Sequence, residues 1–183
     1  GDTALEFDPV KFNADEIVSL AKAAGMRSIV ITTKHHDGFC MFNTATTEYN
    51  SVNATPSKRD YVKELSDACR RGGINFAMYY SLIDWNFPHA YPISSHNCDF
   101  ITPQHHEFSK AQITELLSNY GPVSELWFDM GSNQPEQSKE LYELVHKLQP
   151  DCMVSGRLGN GWYDFAVMAD NKYPEGALQA PWQ

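Results

Sequence analysis

The chain has 183 residues, of which 42% are hydrophobic and 13% aromatic, enough to bury one sizeable core. Its formal net charge of −9 argues against a nucleic-acid partner, which would need a basic surface. No stretch approaches the ~18 consecutive apolar residues of a membrane span. The chain opens on Gly1-Asp2-Thr3 rather than Met and closes on Pro181-Trp182-Gln183, so it reads as a mature form or a fragment with no legible targeting segment. Cys40, Cys69, Cys98 and Cys152 are widely spaced and form no C-x-x-C pair, so they are expected to be buried or half-buried thiols.

In chain order, the first element is a helix over 15–24, capped by Asn13, stopped by Gly25, with Ile17, Leu20, Ala21 and Ala24 as its apolar face. A strand over 28–33 follows, then a helix over about 58–71 with Tyr61, Val62, Leu65 and Ala68 on one face and Gly72-Gly73 at its end. The next strand is 74–81, and a loop with three prolines covers 83–103. A helix from about Pro103 to Asn119 leads through Tyr120-Gly121-Pro122 into a strand that closes on Leu126-Trp127-Phe128-Asp129. A helix over about 135–148 carries Leu141, Leu144, Val145 and Leu148 in register and is broken by Pro150. The strand 152–155 runs into Gly156-Arg157, and 165–170 could form one more strand.

Helices alternating with continuous apolar strands indicate an α/β fold with a parallel sheet. A closed (β/α) barrel of the TIM type fits better than an open doubly wound sheet. No Gly-rich nucleotide loop follows any strand, and reactive residues follow every strand rather than gathering at one switch point. A full barrel typically needs about 250 residues. The expectation is that residues 1–183 are part of a single barrel catalytic domain, with N-terminal strand(s) and closing strands absent.

Asp129 is the leading site candidate, because a carboxylate at the C-terminal end of a barrel strand points into the active-site mouth. It could serve as nucleophile, metal ligand or helix N-cap, although Ser132 and Asn133 are better placed as caps. His35 and His36 point opposite ways on an extended backbone, but beyond the strand end both could reach a ligand. Arg157, among small and flexible neighbours, could brace a carboxylate. Trp85 could form a stacking floor for a sugar. Of Tyr79 and Tyr80, alternation turns only one inward.

Four blocks of this chain resemble the α-L-fucosidases of glycoside hydrolase family 29: Ile31 to Phe39 (ITTKHHDGF), Pro56 to Leu65 (PSKRDYVKEL), Tyr79 to Leu82 with Asp84-Trp85, and Leu126 to Asp129 (LWFD). The resemblance implies a retaining exo-α-L-fucosidase that hydrolyses terminal α-L-fucose from glycans through a covalent fucosyl-Asp intermediate. Asp129 inherits the nucleophile's place. His35 and His36 inherit contacts to the fucose hydroxyls, with Tyr80 (or Tyr79), Trp127 and Arg157 around the sugar. The family's acid/base falls on Glu175 or on Gln183. At Gln183 an amide stands where a Glu is expected, and an amide can neither protonate a leaving group nor activate water. The favoured reading is that Gln183 occupies the acid's position in a substituted form, with Glu175 as the alternative.

The resemblance implies no cofactor and no metal, a fucosylated oligosaccharide or glycoconjugate as partner, and a secreted, periplasmic or lysosomal setting. Two rival readings stand beside it. One is a catalytically silent fucoside-binding protein derived from such an enzyme. The other is a metal-dependent barrel hydrolase using His35 or His36 with His89, His96 or His105.

Overall fold

The computed structural model describes residues 2–90, 92, 100–130 and 132–167. After a short 3-10 helix at Asp2–Glu6, helix α1 spans Ala14–Ala23 and starts where the Asn13 side chain accepts a hydrogen bond from the Glu16 amide at 3.1 Å. Strand β1 is Ser28–Lys34, helix α2 Tyr61–Gly72, strand β2 Asn75–Ser81, helix α3 Pro103–Asn119, strand β3 Glu125–Asp129, helix α4 Pro135–Leu148 and strand β4 Met153–Val154. Asp60 caps α2, and Gly73 ends it in the left-handed conformation at φ 66°. Pro103 and Pro135 sit in the first turns of α3 and α4, where a missing amide proton costs nothing. Phe165 pairs with Ser155 beside β4, and the remainder of the run 165–170 lies mostly outside the described residues. No helix among the described residues is long and apolar enough to cross a membrane.

The four strands are parallel and lie in the order β1-β2-β3-β4, each beside its successor in sequence. An open doubly wound sheet would reverse its order at a switch point and cover both faces. Here Phe76, Met78 and Tyr80 of β2 and Leu126 and Phe128 of β3 join one core with Val62 and Leu65 of α2, Ile113 and Leu116 of α3, and Leu141 and Val145 of α4. The opposite face carries Val30, Thr32, Tyr79, Glu125 and Trp127, all at least partly exposed. Sequential parallel strands with helices on one face form an arc of a (β/α) barrel, whose inner wall is the second face.

The apolar face of α1 differs from expectation. Ala21 is buried as expected, together with Ala14 and Val18, whereas Leu20 is 71% and Ile17 38% exposed and Ala24 is exposed as well. The reason is close approach: a side-chain carbon at Gly72 of α2 would overlap Val18, so this helix pair meets through its small residues. Cys40, Cys69 and Cys152 are free and buried, and Cys98 lies outside the described residues. Burial pushes the Cys40 and Cys152 thiols up to about 12, so neither is a ready nucleophile.

Strand β1 carries a bulge. Thr32 pairs with Tyr79 but Lys34 pairs with Tyr80, so two steps along β1 match one along β2. The extra residue turns Lys34 to the helix side. There it is fully buried, with its Nζ 3.3 Å from Asp84 Oδ2 and 4.4 Å from the centroid of the Tyr80 ring. Burial opposes the ammonium charge, but Tyr80 and Asp84 outweigh it and leave the Lys34 pKa raised. Asp84 Oδ1 accepts from the amides of Asn86 and Phe87 at 2.9 and 3.0 Å. Gly38, at φ +82°, lies directly against this carboxylate.

Two stability predictions follow from this packing. Gly38→Ala would force a side-chain carbon into Asp84 and hold alanine in the left-handed region, so it should lower unfolding free energy by about 3 kcal/mol in a urea titration. A wild-type midpoint would contradict the packing. His105, 1% exposed between Phe87 and Phe108 with an unpartnered Nε2, is pushed down from 6.5 to about 4 by burial and then by the Lys34 charge. The unfolded chain takes up this proton near pH 6.5, while the folded chain resists until about pH 4. Stability from the neutral ring is therefore complete above the unfolded value and is lost as pH falls through the folded one, by about 3 kcal/mol in all. His105→Phe should remove that component from the stability–pH curve; parallel curves for the two proteins would refute it.

Candidate active site

The inner wall of the arc forms an open cleft of about 660 Å³ that runs along the strands from Val30 and Glu125 to their C-terminal ends. Alternation along β3 turns Glu125, Trp127 and Asp129 toward the cleft and Leu126 and Phe128 toward the helices. In the parallel register, Tyr79 lies beside Trp127 and Ser81 beside Asp129. The rings of Tyr79 and Trp127 stack at 5.6 Å between centroids and 19° between planes. His35 stacks on the other side of Tyr79 at 5.7 Å and 15°. The Arg157 guanidinium covers Trp127 at 5.3 Å. One row of planar groups thus crosses β1, β2 and β3 and ends on the turn after β4.

Asp129 sits beside this row. Tyr79 Oη donates to its Oδ2 at 2.6 Å and Arg157 Nη1 donates to its Oδ1 at 2.9 Å. With one partner on each oxygen, the carboxylate is held against rotation, and its side chain is 12% exposed. The next residue, Met130, takes φ 62°, a conformation uncommon for residues other than glycine. This turns the chain out of the strand immediately after the carboxylate, and Met130 itself joins the cleft wall. The Asp129 carbonyl accepts from the Leu82 amide at 2.8 Å, which ties the exits of β2 and β3 together.

Arg157 stands on a 3-10 turn, Gly156–Leu158. Ser155 Oγ donates to the Phe128 carbonyl at 3.0 Å, and Ser138 Oγ of α4 donates to the Leu158 carbonyl at 2.9 Å. The turn is therefore fixed at both ends, which keeps the guanidinium over Trp127.

The histidine pair lies on the other side of Tyr79. Both rings line the cleft, with centroids 3.8 Å apart. The bulge makes this possible by sending Lys34 to the helix side, so that His35 and His36 follow on the exit from the strand. The His36 carbonyl accepts from the Trp85 amide at 2.8 Å, and the Trp85 ring lies 5.6 Å from the His36 ring. Burial, and then the neighbouring His35, lower the His36 pKa, with Asp129 and Asp37 opposing.

One expected contact is corrected. Tyr80 does not reach the cleft: it is fully buried on the helix face, where its Oη donates to Gln112 Oε1 at 2.7 Å. The strand's alternation gives the inward place to Tyr79. Met130 and Glu125 line the cleft and were not singled out from the sequence. The parity of β3 could have found Glu125, four residues before Asp129, but the positive φ of Met130 has no sequence signal. Burial raises the Glu125 pKa. Glu175 and Gln183, the two acid/base positions, and His96 lie outside the described residues.

Among the described residues, one cluster has metal-ligating types within reach of one another: His106, Glu107 and Glu140. It lies on α3 and α4, away from the cleft, and Lys110 Nζ already bonds both glutamates at 3.0 and 3.1 Å.

Comparison with known proteins gives the family. The family model described as alpha-L-fucosidase matches residues 1–183. Alpha-L-fucosidase 1 of Arabidopsis thaliana is 33% identical over 162 residues, covering 84% of this chain and 30% of its own length. Plasma alpha-L-fucosidase of Rattus norvegicus is 33% identical over 156 residues, covering 84% of this chain and 28% of that protein. The chain therefore spans less than a third of these relatives. Among solved structures, unliganded alpha-L-fucosidase AlfC from Lactobacillus casei superposes with a TM-score of 0.82 at 38% identity, covering 94% of this chain and 59% of that one. An AlfC mutant in complex with 4-nitrophenyl-α-L-fucopyranoside substrate gives 0.84 at 37%, covering 97% of this chain and 60% of that one. With the family model matching residues 1–183, and with His35, His36, Trp127 and Asp129 of the KHHDGF and LWFD blocks on the cleft wall, this chain belongs to the α-L-fucosidase family.

Proposed function

We propose that this chain forms part of the barrel catalytic domain of a retaining exo-α-L-fucosidase, with Asp129 as the nucleophile. The observation that carries the reading is the clamped carboxylate: Asp129 at a barrel-strand terminus, with Tyr79 on one oxygen and Arg157 on the other, inside an aromatic wall. A nucleophile must be ionised and aimed, and two fixed donors restrict its rotation. Asp129 attacks the anomeric carbon of a terminal α-L-fucoside while a carboxylic acid protonates the departing oxygen. The resulting fucosyl-Asp129 ester is cleaved by water, with the same group now acting as base. Retention requires the two carboxyl groups about 5 Å apart.

The remaining roles follow from chemistry. His35 and His36 offer ring nitrogens to the sugar hydroxyls. Trp85 and Trp127 offer apolar surface to the sugar's C–H face and to the C6 methyl group. Glu175 and Gln183 compete for the acid's place, with Gln183 favoured as its substituted form. The substrate is a fucosylated oligosaccharide or glycoconjugate, which fits a secreted, periplasmic or lysosomal setting.

A second reading, a fucoside-binding protein without turnover, is kept by the amide at Gln183 alone. Hydrolysis of an aryl α-L-fucoside by the complete protein, with and without Gln183→Glu, separates the two. A gain of turnover on Gln183→Glu assigns the acid to that position. Full turnover in the parent assigns it to Glu175, and binding without turnover in both supports the binding protein.

Three outcomes test the nucleophile in whichever form is active. Asp129→Ala should lower kcat by at least ~10³-fold while leaving fucose binding largely intact. Tyr79→Phe, which removes one hydrogen bond to the carboxylate, should lower kcat/KM about tenfold. Proton NMR of the first-formed product should show α-L-fucose; β-L-fucose as the first anomer would sink the retaining mechanism.

A further inference from the structure

We propose that Ser81 sets the tautomer of His36, so that the ring presents an unprotonated Nε2 to the cleft and binds a sugar hydroxyl as an acceptor. In what it says of the sugar, this deepens the fucosidase reading and rests on it.

A proton count at Ser81 decides the tautomer. Ser81 closes β2 on its inner face, opposite Asp129, and is fully buried. Its Oγ lies 2.9 Å from the Ile83 carbonyl oxygen and 2.7 Å from His36 Nδ1. A hydroxyl has one proton to give and two lone pairs to receive with. The Ile83 carbonyl can only accept, so the Ser81 proton goes there. Among the described residues no other donor reaches that carbonyl, and Ile83 is 3% exposed. If Ser81 gave its proton to His36 instead, a buried carbonyl would lose its partner, which is the costlier arrangement. Ser81 Oγ is therefore left with lone pairs toward His36, and Nδ1 must carry the ring proton.

A neutral imidazole has one N–H, so Nε2 is then an acceptor. No protein partner engages Nε2 among the described residues, and the ring lines the cleft. The surroundings keep the ring neutral near pH 7: burial, His35 and Lys34 disfavour the imidazolium, against Asp129 and Asp37. The backbone holds the same arrangement, because the His36 carbonyl receives the Trp85 amide and the loop after β2 carries both Ser81's acceptor and Trp85. Ser81 is thus a positioning residue: it touches no sugar but decides which hydrogen-bond sense the cleft offers at His36. Asp129 and Nε2 would then both accept, and Arg157 and Tyr79 already spend protons on Asp129.

The test reads the ring directly. The complete protein, labelled with 15N-histidine, is examined at pH 8 by two-bond proton–nitrogen correlation, with His36 assigned through His36→Gln. The expected pattern is a protonated Nδ1 and an unprotonated Nε2; a protonated Nε2 overturns the proposal, and this measurement needs no variant of Ser81. Ser81→Ala should shift the ring toward the Nε2–H form and lower kcat/KM about tenfold, chiefly through KM, while Ser81→Thr restores both. An unchanged tautomer in Ser81→Ala overturns it as well. Replacing the facing sugar hydroxyl by fluorine, which cannot donate, should weaken binding as much as removing it. Retention of L-fucose affinity by every monofluoro analogue would contradict the acceptor role. Failure of the parent and of Gln183→Glu to cleave any fucoside would remove the activity reading, while the ring spectrum still decides the tautomer.

Discussion

The geometry of the cleft depends on a buried ion pair, Lys34 with Asp84. Two charges with essentially no solvent contact face each other across the exits of β1 and β2. Such a pair adds little net stability against an apolar replacement, but removing one partner leaves an uncompensated charge, at a cost of about 3–5 kcal/mol. Its value here is positional. Lys34 can be buried only because the bulge turns it away from the cleft, and it is tolerated there only because Asp84 meets it. The other oxygen of Asp84 organises the backbone of the next loop through Asn86 and Phe87. One contact thus places the histidine pair and the loop that carries Trp85 relative to each other.

On the inner wall the ordering principle is different. Planar side chains from successive strands stack in a row, His35 on Tyr79 on Trp127, with Arg157 above the last. Each ring in this row limits its neighbour's rotamers. The hydroxyl of Tyr79 and the guanidinium of Arg157 therefore reach Asp129 from directions that the stack defines. A site built this way is preorganised before a ligand arrives, and preorganised donors cost no rearrangement when charge develops.

Much of the fold was legible in the sequence, because periodicity and punctuation agree. Asn13, Gly73, Pro103 and Pro135 stand where elements begin or end, and Leu141 with Val145 marks the buried stripe of α4. Of the stripe expected on α1, Ile17, Leu20, Ala21 and Ala24, only Ala21 is buried, because helical spacing does not say which side meets Gly72, and close approach there selects Ala14 and Val18 over Ile17 and Leu20. For the site, Asp129, Trp127, Arg157, His35 and His36 could be chosen from position and motif, and all line one cleft. The choice between Tyr79 and Tyr80 could not be made, because parity on β2 is set by register against β3 rather than by residue type. Nor does anything local announce a bulge at Thr33 or a positive φ at Met130; both are imposed by neighbouring strands and turns.

The bulge at Thr33 also works as a frame shift within the strand. Side chains on a strand follow a two-step count, and one uncounted residue inverts everything after it. With the insertion, a lysine goes to the helices and His35 and His36 emerge beside Tyr79 and Trp85. Without it, the same letters in the same order would point an ammonium group into the cleft and return one imidazole to the core. The spelling Lys-His-His-Asp-Gly-Phe is therefore only half of the motif. The other half is a miscount in the preceding strand: a ladder that ran regularly through Thr33 would keep every residue of the motif while exchanging which of them meet the ligand.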